Sequence, residues 1–313
     1  MNYRKIRMAI FAIFITLCTA SVQAQVQIRL PYPKFERPSV PDNLTQEAEI
    51  NDWMAKHYWD KFNFLNTENL KNPELTFPII TNYIGQLNTI PNSMASIYLK
   101  ETLQKAKTNE EVYDHMANAF NDILGNTRSP YRNDEYLIAV LEDLLSVKNL
   151  SETDKNRYEL SLTMAKKNRV DSIATNIGFI DTSSKSDSLH SIKAEIILLM
   201  FYSPGCHACE IAEARLKQSE IINNWLDSGD LKVLAYAPEA NEEDWKKYQS
   251  HIPDSWINGY DPDQSVWNQR LYDIQGFPTI YLLDENKRVI LKDVGINDVE
   301  KYLMQLAMSL PGM

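Results

Sequence analysis

The chain has 313 residues, 44% of them hydrophobic, with 42 acidic against 32 basic side chains and a formal charge of −10. That length suits two domains, and the apolar share is enough for a real core. The acidic balance argues against nucleic acid and anionic membrane as partners.

The first residues read as an export leader. Arg4, Lys5 and Arg7 form a charged start, Met8 to Thr19 an apolar middle, and Val22-Gln23-Ala24 a small-x-small cleavage site. The apolar stretch is too short for a permanent bilayer span. No later segment is apolar enough either, so the chain from residue 25 is expected to be soluble and periplasmic or otherwise extracytoplasmic. Cys18 opens an alternative, lipid anchoring through that thiol, which the bulky Leu17 before it disfavours. Removing residues 1–24 takes away three cations and no acid, leaving a charge of −13.

Residues 25–41 hold four prolines and little periodicity, which predicts an extended linker. From Asp42 the pattern turns helical. Asp42 or Thr45 is placed to cap a helix running to about Asn63, with Ile50, Trp53, Met54, His57, Tyr58 and Phe62 on or near one face. Further helical periods cover about 74–88, 92–107, 109–124, 133–147 and 152–168, punctuated by Pro91, Gly125 and Ser129-Pro130. Residues 42–170 are therefore expected to form an all-α domain of about six helices. Its many tyrosines and tryptophans stand at helical spacing, so they read as core in preference to a peptide- or glycan-binding surface.

Around Val170 the pattern changes again. Ile177 to Asp181 reads as a short strand followed by a polar turn at Thr182 to Lys185. Then come strand 196–202, helix 207–226, strand 231–236, helices 241–250 and 264–272, strand 279–283, a turn at 284–286, strand 288–292 and a last helix 297–309. Alternating strands and helices with a closing hairpin imply a partly parallel, mixed sheet flanked by helices over 171–313.

Within that region Cys206-His207-Ala208-Cys209 sits between a strand and a helix. Ile196 to Tyr202 is a continuous apolar run, the pattern of a strand buried on both faces. Glu210 to Leu226 carries Ile211, Leu216, Ile221, Ile222 and Trp225 on a helical period, and Ser203-Pro204-Gly205 supplies a turn between them. Cys206 thus lies at a helix N-terminus, where unpaired N–H groups and the helix dipole stabilise a thiolate. The pair admits three readings: a structural staple, a zinc half-site or a redox dithiol. A bridge this short constrains the unfolded chain little, and no second CxxC supplies zinc ligands. An exported chain left with Cys206 and Cys209 as its only cysteines favours redox chemistry.

With the strand–CHAC–helix unit, the Gly276-Phe277-Pro278-Thr279 segment opening a strand, and the hairpin-plus-helix ending, residues 171–313 resemble the thioredoxin superfamily. The lead-in Gly178-Phe179-Ile180-Asp181, with Leu189 and Ile192, and the 72-residue separation of Cys206 from Pro278 resemble its secreted TlpA-like branch. The whole chain looks like bacterial secreted proteins that join a helical domain of unknown function to such a module. The resemblance implies a secreted thiol–disulfide oxidoreductase with Cys206 and Cys209 as catalytic residues. It also implies a cis Pro278 beside the disulfide, and Phe277 and Pro278 as the backbone that pairs with substrate. No cofactor beyond the Cys206–Cys209 disulfide and no metal is implied. The partners would be cysteine-containing secreted proteins and a protein redox donor or acceptor.

Two positions depart from the family. Gly205 stands where thioredoxins usually carry tryptophan, and Met200 where many bury an acid. Glu210 and Glu213 are expected to face solvent, so the sequence names no proton acceptor for Cys209. His207, in the first helical turn, is the candidate for tuning the Cys206 pKa. A peroxidase reading rests on Ser203-x-x-Cys206, but Leu199 occupies the place of the proline that pattern expects. The contrasting reading from another class is a non-enzymatic secreted adaptor or binding protein whose thioredoxin-like domain is structural. Other titratable groups read plainly: His57 as a helix-face histidine among aromatics, Glu111 and His115 as a solvated face, His190 and His251 as isolated. Asn241 to Asp244 reads as a charged helix start.

Overall fold

The computed structural model describes residues 35–67, 73–127 and 129–309. The leader with Cys18, and the linker up to residue 34, lie outside the described residues. From Glu36 onward the chain forms one unit by its contacts, within which a helical region precedes an α/β region.

The helical region contains α1 (Glu47–His57), α2 (Pro73–Leu87), α3 (Asn92–Ala106), α4 (Glu110–Gly125), α5 (Asp134–Leu144) and α6 (Glu152–Ala165). Asn109, Asn133 and Ser151 cap α4, α5 and α6, each side chain accepting a backbone N–H in the first turn. The first helix is shorter than expected. It begins after Gln46, which makes no side-chain cap, and ends at His57. The aromatic residues are core: Tyr58, Trp59, Tyr83, Tyr98, Tyr113 and Tyr136 are buried. Tyr83 packs between Trp59 and Phe120, with ring centroids 5.3 and 6.1 Å away. Their hydroxyls are satisfied, as buried polar atoms must be: Tyr113 donates to Asp143 at 2.8 Å and Tyr136 to the Leu87 carbonyl at 3.1 Å. His57 stacks on Trp53 and pairs with Asp60 on the helix face. His115, expected on a solvated face, is half-buried, and burial lowers its pKa.

The α/β region is a seven-stranded mixed sheet in the order β2-β1-β5-β4-β3-β6-β7. Its strands are β1 (Gly178–Asp181), β2 (Ser186–Ser188), β3 (Ile196–Phe201), β4 (Leu231–Ala237), β5 (Ile257–Tyr260), β6 (Thr279–Asp284) and β7 (Val289–Lys292). β3 runs parallel to β4 and β4 to β5, whereas β6 and β7 are antiparallel. Every residue of β3 is buried, as its unbroken apolar sequence requires. Ile196, Leu198 and Met200 face one core with Cys209, Leu216 and Trp225; Ile197, Leu199 and Phe201 face the other with Tyr272 and Tyr281.

Several elements of this region differ from the sequence reading, among them β2, which was not expected. The expected helix 207–226 is two helices, α7 (His207–Gln218) and α8 (Glu220–Ser228). They break at Ser219, whose hydroxyl caps the second by accepting the Ile222 N–H. Residues 257–260, not expected as a strand, form β5. A Cβ on Gly259 would lie 2.6 Å from the Phe179 ring, so glycine is there to let β1 and β5 pack closely. Between β4 and the end lie α9 (Glu242–Tyr248), α10 (Ser265–Asn268) and α11 (Ile296–Ser309), with α10 a single turn in place of the expected helix 264–272.

An ion-pair cluster joins the helical region to the sheet. Arg132 reaches Asp293 at 2.5 Å, Asp273 at 3.3 Å and its neighbour Asp134 at 3.7 Å. Lys292, its side chain 5% exposed, forms an ion pair with Asp134 at 2.8 Å and donates to the carbonyls of Ala165 and Lys167. Asn168 completes the seam, donating to the Leu271 carbonyl and accepting the Thr175 N–H. Burial, with Asp134 adding to it, pushes Asp273 above the ordinary carboxylate range; Arg132 offsets part of the rise. Burial likewise raises Asp293.

Candidate active site

The chain leaves β3 through Tyr202 and turns at Ser203-Pro204-Gly205-Cys206. The Cys206 N–H donates to the Ser203 carbonyl at 3.1 Å, and Gly205 has φ +76°. Proline second and a left-handed glycine third is the pattern of a type II turn. The backbone therefore accounts for the missing tryptophan. A side chain at 205 would be strained by its φ, although a Cβ there meets nothing within 4 Å.

Cys206 is the N-cap of α7, and its Sγ accepts the Cys209 backbone N–H at 3.2 Å. The two cysteines form a disulfide with Cα atoms 5.2 Å apart. Cys209 is fully buried and Cys206 half-buried. Once the bond opens, Cys206 is the sulfur within reach of another molecule, and the N–H and the helix dipole favour its anion. His207 begins the helix with its side chain 86% exposed and Nδ1 3.6 Å from Glu210. An exposed pair of this kind is worth little.

The second half of the site comes from β6. Phe201 of β3 is paired with Thr279, which sets the residues before β6 beside those after β3. The Phe277–Pro278 peptide bond is cis, as the resemblance implies, and the Phe277 carbonyl lies 3.8 Å from the Cys206 sulfur. Trp267 of α10, 37% exposed, meets the Phe277 ring edge-on at 6.4 Å. Nothing in the sequence pattern pointed to that tryptophan.

Glu213 corrects the sequence reading. It is 2% exposed, whereas Ile211, expected inside, is 58% exposed. The buried positions 209, 212, 213 and 216 make the helical stripe, and on that spacing Glu213 belongs to the core face. It stands one turn after Cys209, a separation of about 5–6 Å between Cβ atoms. Both residues therefore lie on the same buried face of α7. The Tyr248 hydroxyl lies 3.4 Å from both carboxyl oxygens. Burial raises Glu213 above the ordinary carboxylate range, with Lys217 and Tyr248 offsetting only part. Met200, in the place where many thioredoxins carry an acid, is buried in the same core.

Among the described residues no group of three or more His, Cys, Asp or Glu side chains is placed to hold a metal ion, and no helix is long and apolar enough to cross a membrane.

A thioredoxin-like protein from Bacteroides caccae has the same architecture over nearly the whole chain. It is 33% identical, covers 87% of this chain and 99% of its own, and superposes with a TM-score of 0.81. The chain belongs to the thioredoxin-like family. The family model for a domain of unknown function, DUF5106, matches residues 16–168, a span that includes the helical region of this thioredoxin-like protein. The C-terminal domain of an uncharacterized protein from Bacteroides fragilis is 39% identical over 44% of the chain and 98% of its own, with a TM-score of 0.43. The thioredoxin domain of a thiol-disulfide oxidoreductase from Bacteroides vulgatus is 26% identical over 44% of the chain and 97% of its own, with a TM-score of 0.39. No curated protein matches the sequence.

Proposed function

We propose that this thioredoxin-like protein is an extracytoplasmic thiol–disulfide oxidoreductase that exchanges disulfides with cysteine-containing proteins through Cys206 and Cys209. The observation that carries the reading is the Cys206–Cys209 bond at the α7 N-terminus, with its outer sulfur half-exposed beside Phe277 and cis Pro278.

In the reducing direction the Cys206 thiolate attacks one sulfur of a substrate disulfide. A Cys206–substrate bond forms, the substrate bond breaks, and the first substrate thiolate leaves. The Cys209 thiol then gives up its proton, attacks Cys206 and expels the second substrate thiolate. Two electrons pass to the substrate, and the Cys206–Cys209 bond is restored. A protein donor must reduce it again; run backward with an acceptor, the same steps oxidise. Phe277 and Pro278 supply backbone for the substrate chain, and His207 is a minor influence on the Cys206 thiolate.

On this reading Glu213 takes the Cys209 proton, supported by its burial on the same face of α7 and by a carboxyl held above its ordinary range, a better base than a solvated one. Glu213→Gln is therefore expected to slow release of the mixed disulfide by about 10²-fold or more, with formation of that adduct much less affected. The variant also has a signature in stability. A carboxyl raised in the folded chain contributes stability that is fully present below its unfolded value and lost as pH rises through the folded one. Urea midpoints should show wild type losing ground to Glu213→Gln as pH rises from about 4.3, the ordinary glutamate value. A constant difference across that window would refute the assignment.

The exchange activity is tested by whether the reduced protein cleaves a disulfide-bonded peptide and whether Cys206→Ser abolishes that cleavage.

A further inference from the structure

Beside the redox site opens a cleft of about 660 Å³ that belongs to both regions of the chain. One wall is the Gly276–Thr279 segment with the turn from Lys292 to Gly295; the other is Asn92, Thr127 and the Ser129–Asn133 side of the helical region. Its size falls within the range of about 300–1,000 Å³ typical of ligand sites. Phe277 lines it, and the Phe277 carbonyl is 3.8 Å from the Cys206 sulfur, so one residue is shared between the cleft and the cysteine site. A Cβ built on Gly276 meets nothing within 4 Å; the backbone there stands open to another chain.

The charged lining is Asp134, Glu135, Asp293 and Asp298 against Arg132 and Lys292. These charges pair off, Arg132 with Asp273 and Asp293, Lys292 with Asp134, and Glu135 with Arg169, which leaves Asp298 as the lining acid with no ion pair among the described residues. Asp298 at the start of α11 is exposed. The lining therefore keeps a net negative charge, four acids against two cations, with Asp298 its unpaired member.

We propose, on the basis of the exchange activity above, that this cleft is the substrate channel. It receives the extended polypeptide flanking the attacked cysteine, prefers a segment bearing lysine or arginine, and uses the helical region as its far wall. The role of the helical region is then to turn an open thioredoxin-like surface into a selective groove.

The test uses the whole chain and three glutathionylated peptides, identical except for Lys, Ala or Glu three residues from the cysteine. Each rate is referred to that with 2-hydroxyethyl disulfide, which is too small to need a channel. The lysine peptide should exceed the glutamate peptide at least tenfold in kcat/KM, and Asp298→Lys should remove that preference. Thr127→Trp and Asn92→Trp, two exposed positions on the helical wall, should each lower the ratio of peptide to small-disulfide rates at least tenfold. Equal rates for the three peptides overturn the charge selection, and unchanged ratios in both tryptophan variants overturn the wall; the exchange activity would survive either result. No reaction even with 2-hydroxyethyl disulfide removes the activity itself, and the channel with it.

Discussion

Replacing Cys209 by alanine is expected to convert transient adducts into stable mixed disulfides through Cys206, while replacing Cys206 by serine abolishes both adducts and turnover. The asymmetry follows from where the sulfurs lie. Cys206 is half-exposed at the helix end and accepts the Cys209 N–H, whereas Cys209 is wholly buried against Leu216 and Met200. In the proposed mechanism Cys206 therefore meets the substrate disulfide and Cys209 resolves the adduct. A serine hydroxyl does not ionise near neutral pH, so Cys206→Ser should retain less than about a thousandth of wild-type turnover. Gel-shift detection of reducible adducts after acid quenching checks the alanine variant. Adducts formed equally well by Cys206→Ser, through Cys209, would contradict the assigned order of attack.

Arg132→Ala is expected to cost about 3–5 kcal/mol of folding stability, because it strips the guanidinium from the buried Asp273 and the half-buried Asp293. Asp273 and Asp293 both lie within reach of that side chain, and Asp134 adds a third negative charge that Lys292 alone would then balance. The sign with pH is fixed by the same groups. Burial already holds Asp273 and Asp293 above their ordinary values in the folded chain. Without Arg132 they should rise further and be neutral over a wider acid range. The deficit of the variant should therefore be largest near neutral pH and shrink as pH falls through the raised values. Adding Asp273→Asn and Asp293→Asn should restore part of the loss. Denaturant unfolding at several pH values measures all three statements. A cost below about 1 kcal/mol, the value of an exposed pair, would mean the cluster does not hold the helical region to the sheet.

Much of the candidate site was legible in the sequence because local rules agree there. The unbroken run Ile196 to Tyr202 allows only a strand buried on both faces, Pro204 and Gly205 turn the chain, and a helical period follows. What escaped reading depends on contacts between distant residues. Asn258-Gly259 has poor strand propensity, and β5 exists because Phe179 needs the room that Gly259 leaves. Ser219 looks like any helical serine until its hydroxyl is seen capping α8. Glu213 and Ile211 exchange the faces that hydrophobicity alone assigns them. That exchange leaves an isoleucine in solvent and buries a carboxyl on the same helix face as Cys209, a local inconsistency of the kind expected at functional positions. The Arg132 seam was out of reach, since Arg132 and Asp273 are 141 positions apart and neither residue type announces its partner.

The reduction potential of the Cys206–Cys209 couple tests the central claim most directly. It is measured by equilibrating the chain in glutathione and dithiothreitol buffers and counting free thiols. A dithiol built for exchange, with its outer thiolate stabilised at a helix N-terminus, is expected to titrate reversibly above about −300 mV and to remain folded in both states. A bond that stays closed well below that potential, or whose opening unfolds the chain, would mark a structural staple and contradict the account.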